Sequence, residues 1–417
     1  MVAWLLAITR RIAHAIGATA IISLLAACAG TAQFEKPAPF DEIELRERAS
    51  TMDRHGFRVS ATIPSRMETQ AIFGIDLWKK NIQPVWLEIE NRTDRSVRFL
   101  PTGLDPEYFS PREVSFGFAK GYSESARRRL DDHIEALNFK DPIEPHSTVS
   151  GFVYTNREHA LQVVNVDLLA KKWSKGLTLL VPVSGEGIGE EQLKQLHKRL
   201  ADQDYVRVQT EEDLKELLEA LPCCSIDADS AQREPLNLVV VGKMDNIGAG
   251  LSRRGFRYSH ASPRFVFGRE QDLAARKQAQ WNYAQPHVLR LWLTDILYRG
   301  KTVWVGQITS PLGGRFASAP DRERGLIDPS VDEARLDLIQ DMLYSQSLAK
   351  LGLVKGVGRV MSSKPRMLPN GGHYHTDGLR TVFVFEERTI GLSDIQFFEW
   401  ESLSDHHHRQ IDTTSTP

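Results

Sequence analysis

The run Leu236-Asn237-Leu238-Val239-Val240-Val241-Gly242 limits the possible folds of this chain more than any other segment. A strand with one wet face places a polar residue at every second position, and no polar side chain follows Asn237 here. The segment must therefore be a central strand covered on both faces, as strands in layered α/β structures are. The flanking sequence has the matching order. Residues 244–254 have helical spacing and stop at Gly255. Residues 288–297 and 302–308 read as strands joined by the hairpin turn Tyr298-Arg299-Gly300-Lys301. A long loop from Pro311-Leu312-Gly313-Gly314 to Pro329 leads to a helix over 331–351, with Gly352 as its left-handed cap. Strands over 354–361 and 379–385 complete the set. The order β-α-β-β-α-β plus a last strand predicts an α/β sandwich of split βαβ (ferredoxin-like) type over residues 234–390. Residues 391–417 read as a polar C-terminal tail.

In the first half of the chain the period is two. Phe57-Arg58-Val59-Ser60-Ala61-Thr62-Ile63 alternates, and Val85, Leu87 and Ile89 alternate with Trp86, Glu88 and Glu90. Between them, residues 67–80 fit one helix with Ile72, Phe73 and Leu77 on a face. The turn Asn91-Arg92-Thr93-Asp94 makes residues 97–100 a hairpin partner for the preceding strand. Further strands are expected over 114–118, 149–154, 161–168 and 177–183, with an amphipathic insert over 123–136. Short strands at this spacing predict an Ig-like antiparallel β-sandwich over residues 41–185, in architecture only, because the Cys–Trp–Cys pattern of antibody domains is absent. Residues 186–233 read as a connector. It has helices over 190–201 and 211–220 around Tyr205-Val206-Arg207-Val208, then a polar linker over 226–234. The fold class is therefore α+β.

The N-terminus has the layout of an export signal. Arg10 and Arg11 precede a short apolar run over 12–27, about 24 Å as a helix against a hydrocarbon core of about 30 Å. The run ends in Leu25-Ala26-Ala27-Cys28, which is similar to a bacterial lipobox. That chemistry needs a thiol for the thioether and small residues before it to enter the peptidase. The expectation is a signal peptide over 1–27, lipid attachment at Cys28 and a tether over 28–40. Ala29 after the cysteine, rather than Asp, resembles outer-membrane sorting.

A length of 417 residues suggests two or three domains, and a mean hydropathy of −0.32 excludes a polytopic membrane protein. Lys plus Arg (52) nearly balances Asp plus Glu (54), so no global field points to nucleic acid. Three cysteines are too few for a disulfide-rich scaffold.

The second domain resembles the LssY C-terminal-domain family. The resemblance rests on Pro235 to Gly242, on His287-Val288-Leu289-Arg290-Leu291-Trp292 and on Val303-Trp304-Val305-Gly306-Gln307. Ile327-Asp328-Pro329-Ser330-Val331-Asp332-Glu333-Ala334-Arg335 completes it. Members of the family occur fused to membrane phosphatase or DedA-like domains, or alone behind a sandwich. The resemblance implies a secretion-linked component and transfers no activity. Histidines often precede the Asp-Pro pair in the family, and Gly325-Leu326-Ile327 stand there in this chain.

Candidates for chemistry are few. His373-Tyr374-His375-Thr376-Asp377 offers two imidazoles and a carboxylate, and with His287 and Asp295 supplies enough ligand types for a zinc or iron site. The simpler reading is a polar turn before the last strand, because no helical His-Glu-x-x-His or Cys-x-x-Cys accompanies it. Asp405-His406-His407-His408 lies in the tail. Gly248-x-Gly250 has the wrong spacing for a dinucleotide fingerprint, and no P-loop or Gly-x-Ser-x-Gly elbow exists. Lys120 with Arg127, Arg128 and Arg129, and Arg253 with Arg254 and Arg257, form small basic clusters that suit solvated faces or anionic headgroups. Trp86, Trp292 and Trp304 suit core packing before carbohydrate stacking. Cys223 and Cys224 could close a vicinal disulfide of structural role.

These residues point to a lipid-anchored envelope protein, most simply a non-enzymatic binding or accessory component of an envelope or secretion-linked complex. The expected partners are a membrane, through the anchor, and an envelope protein, with no nucleic acid, nucleotide or cofactor. The alternative is an envelope hydrolase or lipid-modifying enzyme using His373, His375, Asp377 and His287.

Overall fold

The computed structural model describes residues 32–185, 188–259, 261–277, 287–312 and 325–402. Cys28 and the run Asp405-His406-His407-His408 lie outside the described residues. The protein is mixed α+β, and its sheets are mostly antiparallel. Among the described residues no helix is long and apolar enough to cross a membrane.

The first half holds seven strands: β1 Ser50–Arg54, β2 Phe57–Thr62, β3 Ile82–Asn91, β4 Arg98–Leu100, β5 Ser147–Asn156, β6 Leu161–Ala170 and β7 Trp173–Pro182. They form a sheet of order β1-β2-β3-β5 and a second of order β4-β6-β7. The inward residues of both, including Val59, Leu87, Ile89, Val164, Val166 and Leu179, share one core. Helices α1 Ile43–Glu47, α2 Arg66–Phe73, α3 Pro111–Phe118 and α4 Glu124–Leu137 accompany the strands. Residues of α2, α3 and α4 cover the outer face of the first sheet, where Trp86, Phe152 and Tyr154 meet Phe73, Leu130 and Ile134.

Three expectations fail here for local reasons. The helix expected over 67–80 stops at Phe73, because Gly74 takes a left-handed cap at φ 69°, and Leu77–Lys80 is a separate 3-10 turn. Residues 114–118 are helical. Ser110 Oγ accepts from Glu113 N at 3.2 Å and Pro111 opens the first turn, and these start signals outweigh the strand propensity of Val114 and Phe116. Residues 98–100 pair with β6 of the other sheet instead of closing a hairpin on β3. The Asn91 amide donates to the carbonyls of Arg95, Ile143 and Glu144, and Asp141 Oδ1 accepts from Phe99 N at 2.9 Å, which carries the chain across.

The second half is built on a nine-stranded sheet. Its strands in chain order are β8 Val206–Val208, then β9 Cys224–Ile226 and β10 Gln232–Pro235 of a small side sheet, then β11 Leu238–Val241 and β12 Phe256–Tyr258. Next come β13 Phe265–Val266 and β14 Arg269–Glu270, also of the side sheet, then β15 Leu273–Lys277, β16 Val288–Tyr298 and β17 Lys301–Thr309. The last are β18 Leu348–Lys355, the short pair β19 Arg366–Met367 and β20 His373–Tyr374, β21 Leu379–Phe385 and β22 Gln396–Phe397. The main order is β12-β15-β16-β17-β11-β21-β18-β22, with β8 beside β16. Strand β11 lies antiparallel to β17 and parallel to β21. Leu238 and Val240 enter a core with α5 Ile188–Asp202, α7 Met244–Arg253 and α8 Val331–Leu343, while Val239 and Val241 enter another with α6 Glu211–Ala220. The apolar run is thus covered on both faces.

Here too the structure departs from the expected elements. The helix expected over 331–351 ends at Leu343, where Ser345 Oγ bonds Met342 O at 2.7 Å and Gln346 turns at φ 60°. Residues 348–355 then pair with β21, so Gly352 is a strand residue, and a Cβ on it would lie 2.7 Å from Phe398 Cβ. The expected linker over 226–234 contains the antiparallel pair β9–β10, and the connector's β8 pairs with β16, so both join sheets of the second half. Residues 391–402 of the expected tail fold onto the sheet: β22 pairs with β18, and the rings of Phe398 and Trp400 stack at 4.0 Å.

Candidate functional site

The two halves meet along α7, whose glycines set the approach. A Cβ on Gly250 would lie 2.6 Å from the Phe385 ring, and one on Gly248 would touch Val163 of β6 at 3.5 Å. The Gly-x-Gly pair therefore lets one helix lie close to both domains. Around it the contacts are polar and directional. Asn165 Nδ2 donates to Ser252 Oγ at 2.5 Å, and Thr178 Oγ1 donates to Asn165 Oδ1 at 2.7 Å, all buried. Arg253 pairs with Asp167 at 2.9 Å, and Arg54 reaches Asp245 and Glu387 at 3.1 and 3.2 Å. Arg257 joins the buried carboxylates of Glu158, at 2.8 Å, and Asp105, at 3.5 Å. Burial pushes the Glu158 carboxyl up to about 8; Arg257 opposes the rise and the Asp105 charge adds to it. Arg254 pairs with Asp341 at 3.3 Å. Each arginine of the cluster Arg253, Arg254 and Arg257 is thus engaged by acidic side chains, and three of the four contacts cross to the first half of the chain.

Beside this clasp lies a small, partly open apolar cleft of about 60 Å³. Leu161, Val163 and Leu180 line it from the first domain, and Met244, Leu251 and Ala275 are among its residues from the second. Its lining is almost wholly apolar. Such a lining suits an apolar group.

The histidine candidates do not converge. His373 is exposed on β20, and His375 gives its backbone N–H to Pro329 O at 2.9 Å. Asp377 is bound by Arg335, which is 1 % exposed, through bonds of 2.9 and 2.5 Å. Asp332 accepts from Thr376 Oγ1 and from Asp377 N. Burial works against the Arg335 charge, but the hydrogen bond and attraction of Asp377 and Asp332 outweigh it and hold its pKa above the ordinary value. Burial lowers His287, whose Nδ1 meets Ser310 Oγ at 2.7 Å and whose Nε2 meets Asp337 at 3.1 Å. Among the described residues no three His, Cys, Asp or Glu side chains come together to hold a metal. Trp86, Trp292 and Trp304 are fully buried, which removes them as stacking platforms.

The sulfurs of Cys223 and Cys224 are bonded, and Gln232 Nε2 donates to Cys224 Sγ at 2.8 Å. The turn they occupy is fixed by Arg380, which is wholly buried and donates to the carbonyls of Leu218, Leu221, Pro222, Leu236 and Gly356. Sequence reasoning missed this residue, as it missed Asn237. The Asn237 amide donates to Ile308 O and Val331 O, and its Oδ1 accepts from Ile308 N, tying β17 to the start of α8. A lone Asn in an otherwise apolar strand was the available signal, since a buried amide must find partners.

These features define an α+β protein whose two halves meet beside an apolar cleft. The family model described as the LssY C-terminus matches residues 257–379, within the second half of the chain. No curated protein matches the chain.

Proposed function

We propose that this chain is an exported envelope lipoprotein, acylated at Cys28, that acts by binding an apolar ligand, such as an acyl chain, between its two domains. The observation that carries the reading is the cleft beside α7, almost wholly apolar and lined from both halves of the chain. The lipid anchor is supported by the Leu25-Ala26-Ala27-Cys28 pattern and by the tether's course. Ala32 N donates to Gly121 O at 3.0 Å, only four residues after Cys28. Acylation there would hold the α3–α4 turn, with exposed Phe116, Lys120 and Arg127, against the bilayer of the outer membrane on its periplasmic side. In this reading the first domain is an Ig-like sandwich, and the second a split βαβ unit with β21 inserted between β11 and β18. It serves an envelope or secretion-linked complex as an accessory component.

The test is titration of a solvatochromic acyl probe into the purified Cys28→Ser protein. Saturable one-to-one binding is expected, and Ala275→Phe, which fills the cleft, abolishes it. Equal binding by the two proteins would remove the cleft from the account.

A further inference from the structure

On the face of β16 opposite the cleft, Arg290 has an unusual environment. It is 7 % exposed, yet its guanidinium has no hydrogen bond or ion pair among the described residues, and its Nε is enclosed without an acceptor. Directly across the ladder stands Gln307, wholly buried. Its Oε1 accepts from Ser225 at 2.8 Å, and its Nε2 is likewise enclosed without an acceptor. Arg233, 6 % exposed, supplies a third such donor at Nε. Of the nearby carboxylates, Glu234 is shared by Arg233, at 3.4 Å, and Arg264, at 3.1 Å, and Asp227 stands 3.9 Å from Arg233, so two acids face Arg233, Arg264, Arg276 and Arg290. The register places Arg276 on the same face as Arg290. Positive charge is therefore in excess, and buried N–H donors lack acceptors in the same place, a costly arrangement for a folded protein. Consistent with this, burial, together with the neighbouring Arg264, pushes Arg290 down to about 10.

We propose that Arg290, Gln307 and Arg233 form a binding site for a phosphate group, free or at the head of a larger molecule. A phosphate offers several acceptor oxygens to several donors at once and supplies the missing negative charge, and guanidinium groups are its usual partners in proteins. Glu234 keeps Arg264 and Arg233 oriented toward the site. The site is separate from the apolar cleft and does not depend on the anchor.

The test uses the full mature chain with inorganic phosphate and, separately, with dihexanoyl phosphatidic acid. Calorimetric titration is expected to show saturable binding of phosphate that chloride at equal ionic strength does not reproduce. Arg290→Met, which keeps the bulk and removes the charge, weakens it at least about tenfold. Phosphatidic acid binding at least tenfold tighter than phosphate assigns the site to a lipid headgroup, and equal affinities assign it to free phosphate. Because the variant could fail to fold, the Arg290 Nε–H resonance of the wild-type protein provides an independent reading, and it shifts on phosphate addition. Unchanged affinity in Arg290→Met, no phosphate-specific binding, or an unmoved Arg290 resonance at saturating phosphate would each overturn the proposal.

Discussion

Replacing Asp377 by Ala separates the two readings of the His373–Asp377 loop. As a metal ligand, Asp377 would contribute little to the apo protein. In the structure it neutralises Arg335, which is 1 % exposed and also donates to Leu379 O at 2.7 Å. Removing one partner of a buried pair typically costs about 3–5 kcal/mol, because the remaining charge is stranded. The Asp377 side chain is 21 % exposed, so water can partly replace it, and we expect the low end, about 3 kcal/mol. The loss is read by urea denaturation followed through Trp292 and Trp304, both in the second domain's sheet. His373→Ala and His375→Ala should change stability by no more than about 0.5 kcal/mol. Arg335→Met in the Asp377→Ala background should recover part of the loss, since it removes the stranded charge. A loss below about 1 kcal/mol for Asp377→Ala, or an equal loss for the histidine variants, would refute the ion-pair account.

Other outcomes follow from the domain clasp and the anchor. Glu158 is raised by burial from 4.5 to about 8, so its stabilising contribution is complete below pH about 4.5 and is lost as pH rises toward 8. Wild-type stability should therefore fall between pH 5 and 8 relative to Glu158→Gln, by up to about 1.4 kcal/mol per pH unit; parallel profiles would contradict the assignment. Gly250→Val drives a side chain into the Phe385 ring, and a cost of about 1–3 kcal/mol in thermal unfolding is expected. Cys28→Ser should release the protein from cell membranes on fractionation, and continued retention would contradict acylation.

How much of this was legible in the sequence differs between levels. The central strand β11 was legible because Val239-Val240-Val241 leaves no polar face, and the structure divides its residues between two cores. The helix α6 stands at the residues expected for it, 211–220, with Leu214 and Leu218 one turn apart among its buried residues. The end of α8 was not, since Leu348-Ala349-Lys350-Leu351 suits a helix locally and only pairing with β21 makes it a strand. The site was less legible still. His373, His375 and Asp377 stand together in sequence, but tertiary pairing gives Asp377 to Arg335. The cleft is made by Val163 and Leu180 meeting Met244 and Ala275, residues far apart in the chain whose apolar character marks only core. Arg253 and Arg257 read as a solvated patch because their partners, Asp167, Glu158 and Asp105, lie in the other domain.

The most direct measurement of the binding account is photo-crosslinking of the protein with a diazirine-bearing fatty acid, followed by peptide mapping. The account predicts label on the segments of Met244 to Leu251 and Leu273 to Ala275, and from the other domain on Leu161 to Val163, all displaced by unlabelled fatty acid. Label scattered over the exposed surface, or undiminished by competitor, would contradict it.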